Sequence, residues 1–443
     1  MHDFLSIQLE EVSGEPSVAL FTLTTNIQGI QTALSSGWGT ASGPTTIPLI
    51  LKLLEIQSSR NPSHPPLSIT DDGRVSYREP KCPECGSKEY DHNGTQRRQL
   101  QCFFVVVLVL RLQKYLCKAC GKAYKVELEH IVPRYGHYTR DVRGLAIGYT
   151  GGRALSLGES VELTSQISGV HPSRETVRLW KLDAGKRIKR EMSDREREWS
   201  GIYSYDEQYV KIGGERKYRC LVYDVGLKEP VGEMVVSDLK KKTLKGFLRR
   251  AMKGKPVLTF VTDGVEQYPE LLKELFPEAS HQVCVIHTMY IVKKDLKEAA
   301  GLGKDSSKPL PEELERLYGA LWDMFLHSDS VEEAEEKFLT IYMKRFEYHP
   351  KVGHRLELMA EKFPRFVEYL AHPDVPMTNN PSESYFQRTH PERIKARFRT
   401  LEGLEAQVMC LEAEQVDGVS GKGDTQETLR QIYETFAKLM VNV

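Results

Sequence analysis

The stretch Gly201-Ile-Tyr-Ser-Tyr-Asp-Glu-Gln-Tyr-Val210 decides how the second half of this chain is read. Aromatic and polar residues alternate through it with the period of a strand. Ser204, Asp206 and Gln208 therefore share one face, and Tyr203, Tyr205, Glu207 and Tyr209 share the other. Glu207 points away from Asp206 unless the strand bulges. Residues 217–225 and 232–237 can complete an antiparallel meander. A helix over 240–253 then leads to another strand, Val257-Leu-Thr-Phe-Val-Thr-Asp263. Strands and helices alternating over 199–287 predict an α/β core.

Three acidic residues stand out in that frame. Asp206 lies within the first strand. Asp263 ends a later one, and Gly264 frees the backbone at a carboxyl strand end, where α/β folds place ligands. Glu383 opens a helix in Asn379-Asn-Pro-Ser-Glu383. Each has a local alternative. A strand-end aspartate is a common turn or cap residue. Asn380 as cap, Pro381 at the first position and Glu383 at the third form a capping-box-like start that needs no metal. Carboxylates from distant parts of a chain are also what two divalent ions, about 3.5–4 Å apart, need for in-line attack on a phosphodiester.

The other half carries metal chemistry of a different kind. Cys82-Pro-Glu-Cys85-Gly86 and Cys117-Lys-Ala-Cys120-Gly121 are near-identical knuckles. The glycine lets each backbone turn tightly, so both thiolates can face one ion. Four cysteines give the closed tetrahedral shell of one structural Zn²⁺, with no vacant position for catalysis. A strand-rich interval between the pairs, extended through 103–112, predicts a β zinc ribbon over 76–130. Accidental pairs or a redox motif are the alternatives, and the duplicated knuckle argues against both. Cys102 reads as a buried thiol.

Helical signals dominate 140–197. Residues 159–168 form one helix, Gly169-Val170-His171-Pro172 a turn, and Ser173 caps a second helix through Trp180. In a DNA-binding helix-turn-helix the second helix enters the major groove. Arg174, Thr176 and Arg178 would read bases, with Lys181 following on the same helix. Residues 174–190 hold seven basic and two acidic side chains. A plain helical hairpin with a solvated basic face is the alternative.

Whole-chain charge decides little. The 443 residues contain 61 Lys+Arg and 61 Asp+Glu, so local distribution carries the argument. The acidic first residues do not resemble a secretory leader, and the apolar run at 103–110 is too short for a bilayer. A cytoplasmic, nucleoid-associated location with no membrane partner is expected. Residues 1–75 read as poorly ordered, with a helical candidate at 47–56. Residues 288–371 read as helical throughout. A linker at 418–423 and an amphipathic helix at 426–440 fall within a C-terminal segment, 413–443. Gly301-Leu-Gly-Lys304 is not a phosphate-binding loop, since Asp305 stands where Ser or Thr is needed.

The order strand–Asp206, strand–Asp263, helical insertion, Asn-Asn-x-x-Glu383 resembles the Asp-Asp-Glu transposases of insertion sequences. Cys284-Val-Ile-His287 resembles the Cys-x-x-His element of the Mutator-like superfamily, as does a long helical insertion before the Glu. The basic run Arg393, Lys395, Arg397 and Arg399 resembles that family's strand-gripping helix. By composition alone, Cys284 and His287 read as a buried Cys and a junction His rather than half a zinc site. The resemblance covers about 76–403. It implies a ribonuclease-H-like mixed sheet core over 199–412, with the insertion at about 288–371, behind the zinc ribbon and helix-turn-helix. It implies that Asp206, Asp263 and Glu383 hold two Mg²⁺ (or Mn²⁺) ions and that the partners are transposon ends and target duplex. A homo-oligomer would form on that DNA. A catalytically silent, domesticated relative that binds DNA is the second expectation, and an assembly protein with no divalent-metal dependence is a third.

Overall fold

The computed structural model describes residues 51, 54–55, 64–103, 105–304, 306–395 and 397–413. Most of the N-terminal region, the C-terminal linker and helix, and Asp305 lie outside the described residues. The fold is mixed α/β with two five-stranded mixed sheets. The described residues up to Arg190, with Met409–Ala413, form one compact unit, and Glu191–Val408 form a second. No described helix is long and apolar enough to cross a membrane.

The first unit is built on a long antiparallel hairpin, β3 (Tyr90–Cys102) with β4 (Val105–Cys117). Strands β1 (Leu67–Ile69), β2 (Arg74–Tyr77) and β5 (Ala123–Lys125) complete the sheet. Residues 64–75, expected to be weakly ordered, thus carry β1 and the start of β2. Leu67 and Val75 are buried in one core with Leu100, Leu110 and Tyr115, and those anchors order the segment. Three helices follow: α1 (Arg140–Ile147), α2 (Leu157–Ser168) and α3 (Arg174–Asp194).

In the second unit, β6 (Ile202–Ile212), β7 (Glu215–Asp224) and β8 (Glu229–Val236) form the antiparallel meander. Helix α4 (Lys241–Ala251) leads to β9 (Thr259–Thr262), and α5 (Gln267–Leu275) to β10 (Ser280–Val283). The order is β10-β9-β6-β7-β8, with β9 parallel to both β6 and β10. Tyr203, Tyr205, Cys220 and Phe260 pack with Leu244, Phe247 and Leu271 on one face of this sheet. The insertion consists of α6 (Val285–Ala299), α7 (Glu312–Leu326), α8 (Val331–Met343), α9 (Pro350–Glu361) and the short α10 (Glu368–Ala371). These helices share their own core around Met289, Leu321, Phe338 and Leu356. Helix α11 (Asn380–Thr389) returns to the sheet, and α12 (Leu401–Ala413) closes the described chain.

Candidate functional site

Strand register aligns the acids. Tyr205 of β6 pairs with Thr262 of β9, and Thr262 with Val283 of β10. The next residue on each is Asp206, Asp263 and Cys284, level with one another on parallel neighbours about 4.8 Å apart. Asp206 lies within β6, whereas Asp263 and Cys284 directly follow the ends of β9 and β10. The Cys284 amide donates to the Thr262 carbonyl at 2.8 Å, extending the ladder that far. β6 runs through this region without a bulge, so Glu207 stays on the far face. There its carboxylate accepts hydrogen bonds from the hydroxyls of Tyr205 and Tyr268.

Helix α11 lies over the polar face of β6. Ser382 Oγ is 2.6 Å from Ser204 Oγ, and His390 Nδ1 is 3.0 Å from Gln208 Oε1. These contacts bracket Asp206, so Glu383 enters on the same side of the sheet. The capping-box alternative for Glu383 fails. The helix starts at Asn380, its cap is Asn379, and no side-chain cap hydrogen bond forms. Asn379 is fully buried and works elsewhere: its Nδ2 donates to the Tyr205 carbonyl at 3.1 Å. Its backbone N–H donates to Cys284 Sγ at 3.4 Å. Glu383 is exposed, and its carboxylate has no hydrogen bond or ion pair among the described residues.

The field at this end of the sheet is short of positive charge. Burial first, then the neighbouring Asp263, holds the Asp206 carboxyl well above the ordinary range, with Glu207 and Glu383 adding to it. His287 Nδ1 lies 3.2 Å from Asp263 Oδ2. That contact raises the imidazole above its usual value, aided by the fields of Asp206 and Glu383. Asp263 Oδ1 and Asn379 Oδ1 are buried without a hydrogen-bond partner. Orphaned oxygens beside like-charged carboxyls are a donor set that suits a hard cation. As a set the acids stand wider than single-ion spacing. Among the described residues, the four cysteines are the group whose ligand atoms all lie within 4.8 Å.

A buried clamp fixes α11, and the sequence reading passed over it. Arg219 on β7 is fully buried and donates to both Glu233 oxygens, at 2.7 and 2.6 Å, and to Thr389 Oγ1 at 2.9 Å. Its guanidinium also lies 5.3 and 5.1 Å from the Tyr385 and Phe386 rings. The available signal was an arginine inside the otherwise apolar strand Tyr218-Arg-Cys-Leu-Val-Tyr223, two residues from Leu221 on the same face.

In the first unit, the cysteine sulfurs converge. Cys82 and Cys120 Sγ are 3.6 Å apart, as are those of Cys85 and Cys117. A tetrahedral zinc with bonds of about 2.3 Å spaces its sulfurs about 3.8 Å apart. Gly86 and Gly121 adopt φ of 72° and 71° and donate to the Cys82 and Cys117 carbonyls. The backbone N–H of Cys120 pulls the Cys117 thiol down to about 6. Cys120 also receives a lowering backbone bond, from Lys122, yet its neighbour Cys85 helps push it up to about 12. Four thiols this close cannot all ionise without a cation, and the cluster can hold zinc. Cys102 is buried in the hydrophobic core of this sheet and does not belong to the four.

The helical trio departs from expectation in length. Ser156 and Glu159 form a capping box that starts α2 earlier, and α3 runs 21 residues rather than ending near Trp180. The buried set Val177, Trp180, Ala184 and Ile188 recurs at helical spacing and sustains it. Ser173 caps α3 by accepting from the Thr176 amide at 3.0 Å. Arg174 is exposed, Lys181 half-buried, and Thr176 Oγ1 lies 2.9 Å from Ser173 Oγ. Arg178 pairs with Glu175 at 2.6 Å. The basic run after Glu383 is not a helix. Arg393 sits in a single 3-10 turn, Glu392–Ile394, and Lys395, Arg397 and Arg399 follow in irregular chain. The Phe398 carbonyl is taken by the Gly213 amide at 3.0 Å, which removes it from any helical ladder.

No protein-family model matches the chain. It is 26% identical over 347 residues to the insertion element ISM1 uncharacterized 48.3 kDa protein of Methanobrevibacter smithii, spanning 76% of this chain and 83% of that one. A solved Drosophila P element transposase strand transfer complex aligns at 12% identity with a TM-score of 0.36, over 68% of this chain and 95% of that one. A simian T-cell lymphotropic virus intasome with the PP2A regulatory subunit B56 gamma aligns at 11% identity and a TM-score of 0.17, over 48% and 56%. Those two scores carry no argument; the chain is similar in sequence to a protein of an insertion element.

Proposed function

We propose that this chain is the transposase of an insertion sequence, cutting and rejoining DNA strands at a ribonuclease-H-like core. The observation that carries the reading is the seating of α11 over β6, where the Ser204–Ser382 and Gln208–His390 contacts bracket Asp206. The sequence similarity to an insertion-element protein supports it, as does a sheet that is antiparallel through β6–β7–β8 and parallel through β9 and β10. Asp206, Asp263 and Glu383 would hold two Mg²⁺ (or Mn²⁺) ions. When bound, such ions activate the attacking water or 3′-hydroxyl and stabilise the leaving oxygen.

The protein's own part is positioning. Asp206 Oδ1 accepts from the Glu207 amide at 2.8 Å, which fixes one carboxylate oxygen and leaves the other for a ligand. His287 orients Asp263, and Cys284 holds the loop that leads to Glu383 through the Asn379 amide. Domain roles follow: a zinc ribbon and a helix-turn-helix bind element ends through Arg174, Thr176, Arg178 and Lys181. Arg393, Lys395, Arg397 and Arg399 grip phosphates near the core. Because Arg178 is paired with Glu175, base readout by it requires that pair to open.

The test is strand cleavage and transfer on duplexes carrying the terminal repeats that flank the gene. Mg²⁺- or Mn²⁺-dependent nicking by the full chain, lost in Asp206→Asn, is the expected result. Specific binding with no nicking under either ion would replace the catalytic reading with that of a domesticated DNA-binding protein.

A further inference from the structure

The β6–β7 hairpin ends in a charge arrangement that the acidic site does not use. Lys211 and Arg216 stand directly opposite each other across the two strands, and both are exposed. Like charges so placed repel, and a hairpin gains nothing from them in isolation. Glu215, the one acid between Gln208 and Tyr218, is committed to Lys217 at 2.8 Å. The Arg216 guanidinium instead lies over Tyr209, its carbon 3.7 Å from the ring centroid, and that tyrosine is 53% exposed. The Gly213 amide at the tip donates to the Phe398 carbonyl, which brings the Arg397–Arg399 chain onto the same tip.

We infer that this tip, with Lys211, Arg216 and Arg399 as its cations, is a binding surface for the phosphate backbone of duplex DNA. The inference rests on DNA being the substrate, but not on the acids being catalytic. Alternation along β6 puts Lys211 and Tyr209 on the opposite face from Asp206, so the surface stands apart from the carboxylates and serves holding rather than chemistry. An anion relieves the Lys211–Arg216 repulsion, and a backbone with regularly spaced charges meets several cations at once. The surface offers no base-reading groove element, so the contact is indifferent to sequence.

Lys211→Gln, Arg216→Gln and Arg399→Gln are each compared with the parent full-length chain in Mg²⁺-free buffer. The readout is fluorescence anisotropy on random and terminal-repeat duplexes across a salt series. Each variant should weaken both duplexes alike and lower the slope of log affinity against log salt by about 0.9 for the lost phosphate contact. Melting should be unchanged or raised in Lys211→Gln and Arg216→Gln, where the like-charge pair is relieved, and unchanged in Arg399→Gln. Unchanged affinity and slope in all three, with fold intact, overturns the inference. If these variants lose binding while the parent never nicks DNA, the surface stands and the catalytic reading falls. If nicking proceeds and binding ignores all three, the surface alone is wrong.

Discussion

Ser382 and Ser204 share a hydroxyl contact of 2.6 Å, one residue before Glu383 and two before Asp206. It ties a helix start to a strand across 178 residues of chain, and it sets two acids on one face of the sheet. Burial and Asp263 already hold the Asp206 carboxyl high. Metal-free protein should therefore gain stability from Asp206→Asn, which removes the disfavoured charge. Millimolar Mg²⁺ or Mn²⁺ should raise the parent's melting temperature by a few degrees, about 2.7 kcal/mol at a hundred times Kd. That shift should vanish in Asp206→Asn, Asp263→Asn and Glu383→Gln, with nicking down by more than about 100-fold. A parent whose melting ignores both ions would sink the two-metal reading.

His287 should act through Asp263 rather than on DNA. Groups that orient a metal ligand typically cost about 10–100-fold in metal affinity or activity when removed. His287→Ala should fall in that range and raise the Mg²⁺ concentration needed for half-maximal nicking. Cys284→Ala should do the same more weakly, by loosening the Asn379 amide. Zinc content should not change in either variant, because neither residue belongs to the cysteine cluster. Two zinc ions per parent chain, falling to one in these variants, would show that the pair is a metal site instead.

The cysteine cluster predicts one zinc per chain, bound by four sulfurs already spaced for it. Thiolate ligation is coupled to folding. Chelation should therefore expose the β3–β4 hairpin to protease while leaving the Glu191–Val408 unit resistant. Cys117→Ser should behave like chelation. Equal protection with and without zinc would count against a structural ion.

Much of the site was legible because strand alternation is local. Asp206 sorted with Ser204 and Gln208, and Glu207 with the tyrosines, from period alone. What pairing decides was not legible: the register that sets Asp206, Asp263 and Cys284 at one level involves strands separated by tens of residues. The capping reading of Glu383 failed for a similar reason. Asn379 and Asn380 both suit a helix start, and the buried Tyr205 carbonyl, distant in sequence, claimed the Asn379 side chain. The helix expected of the basic run rests only on its resemblance to a strand-gripping helix, and the structure gives it a single 3-10 turn. A tertiary bond from the Gly213 amide takes the Phe398 carbonyl there, a contact that the local sequence does not signal.

Arg219 should be the costliest single residue outside the acids. Its partner Glu233 and its ring contacts satisfy a buried cation, so Arg219→Ala strands the carboxylate and should cost about 3–5 kcal/mol. Replacing both partners, Arg219→Met with Glu233→Leu, should recover much of that stability, since no charge is left unpaired. Nicking should stay impaired in the double variant if the clamp positions Glu383, because the Thr389 contact is still missing. Full activity in a stable double variant would reduce the clamp to a stability element.

His390 gives the second unit an acid-sensitive joint. Gln208 Oε1 can only accept, so Nδ1 carries the proton, and Nε2 is left buried without a partner. Burial first, then the charges of Arg219 and Lys395, lower the imidazole to about 4, against an opposing pull from Glu392. The unfolded chain titrates near 6.5. Between those values it binds a proton that the folded protein refuses, so stability is full above about pH 6.5 and falls as pH drops toward 4. The difference is worth about 3 kcal/mol at most. Asp206, with its raised carboxyl, acts in the opposite sense in metal-free protein, so the parent curve alone is ambiguous. The measurement is the difference between parent and His390→Gln in denaturant unfolding from pH 7.5 to 4. The variant should lose less stability on acidification, because glutamine can still donate to Gln208 and has no proton to accept. Parallel pH profiles for the two proteins would mean that His390 titrates normally and that the joint on Gln208 opens before it does.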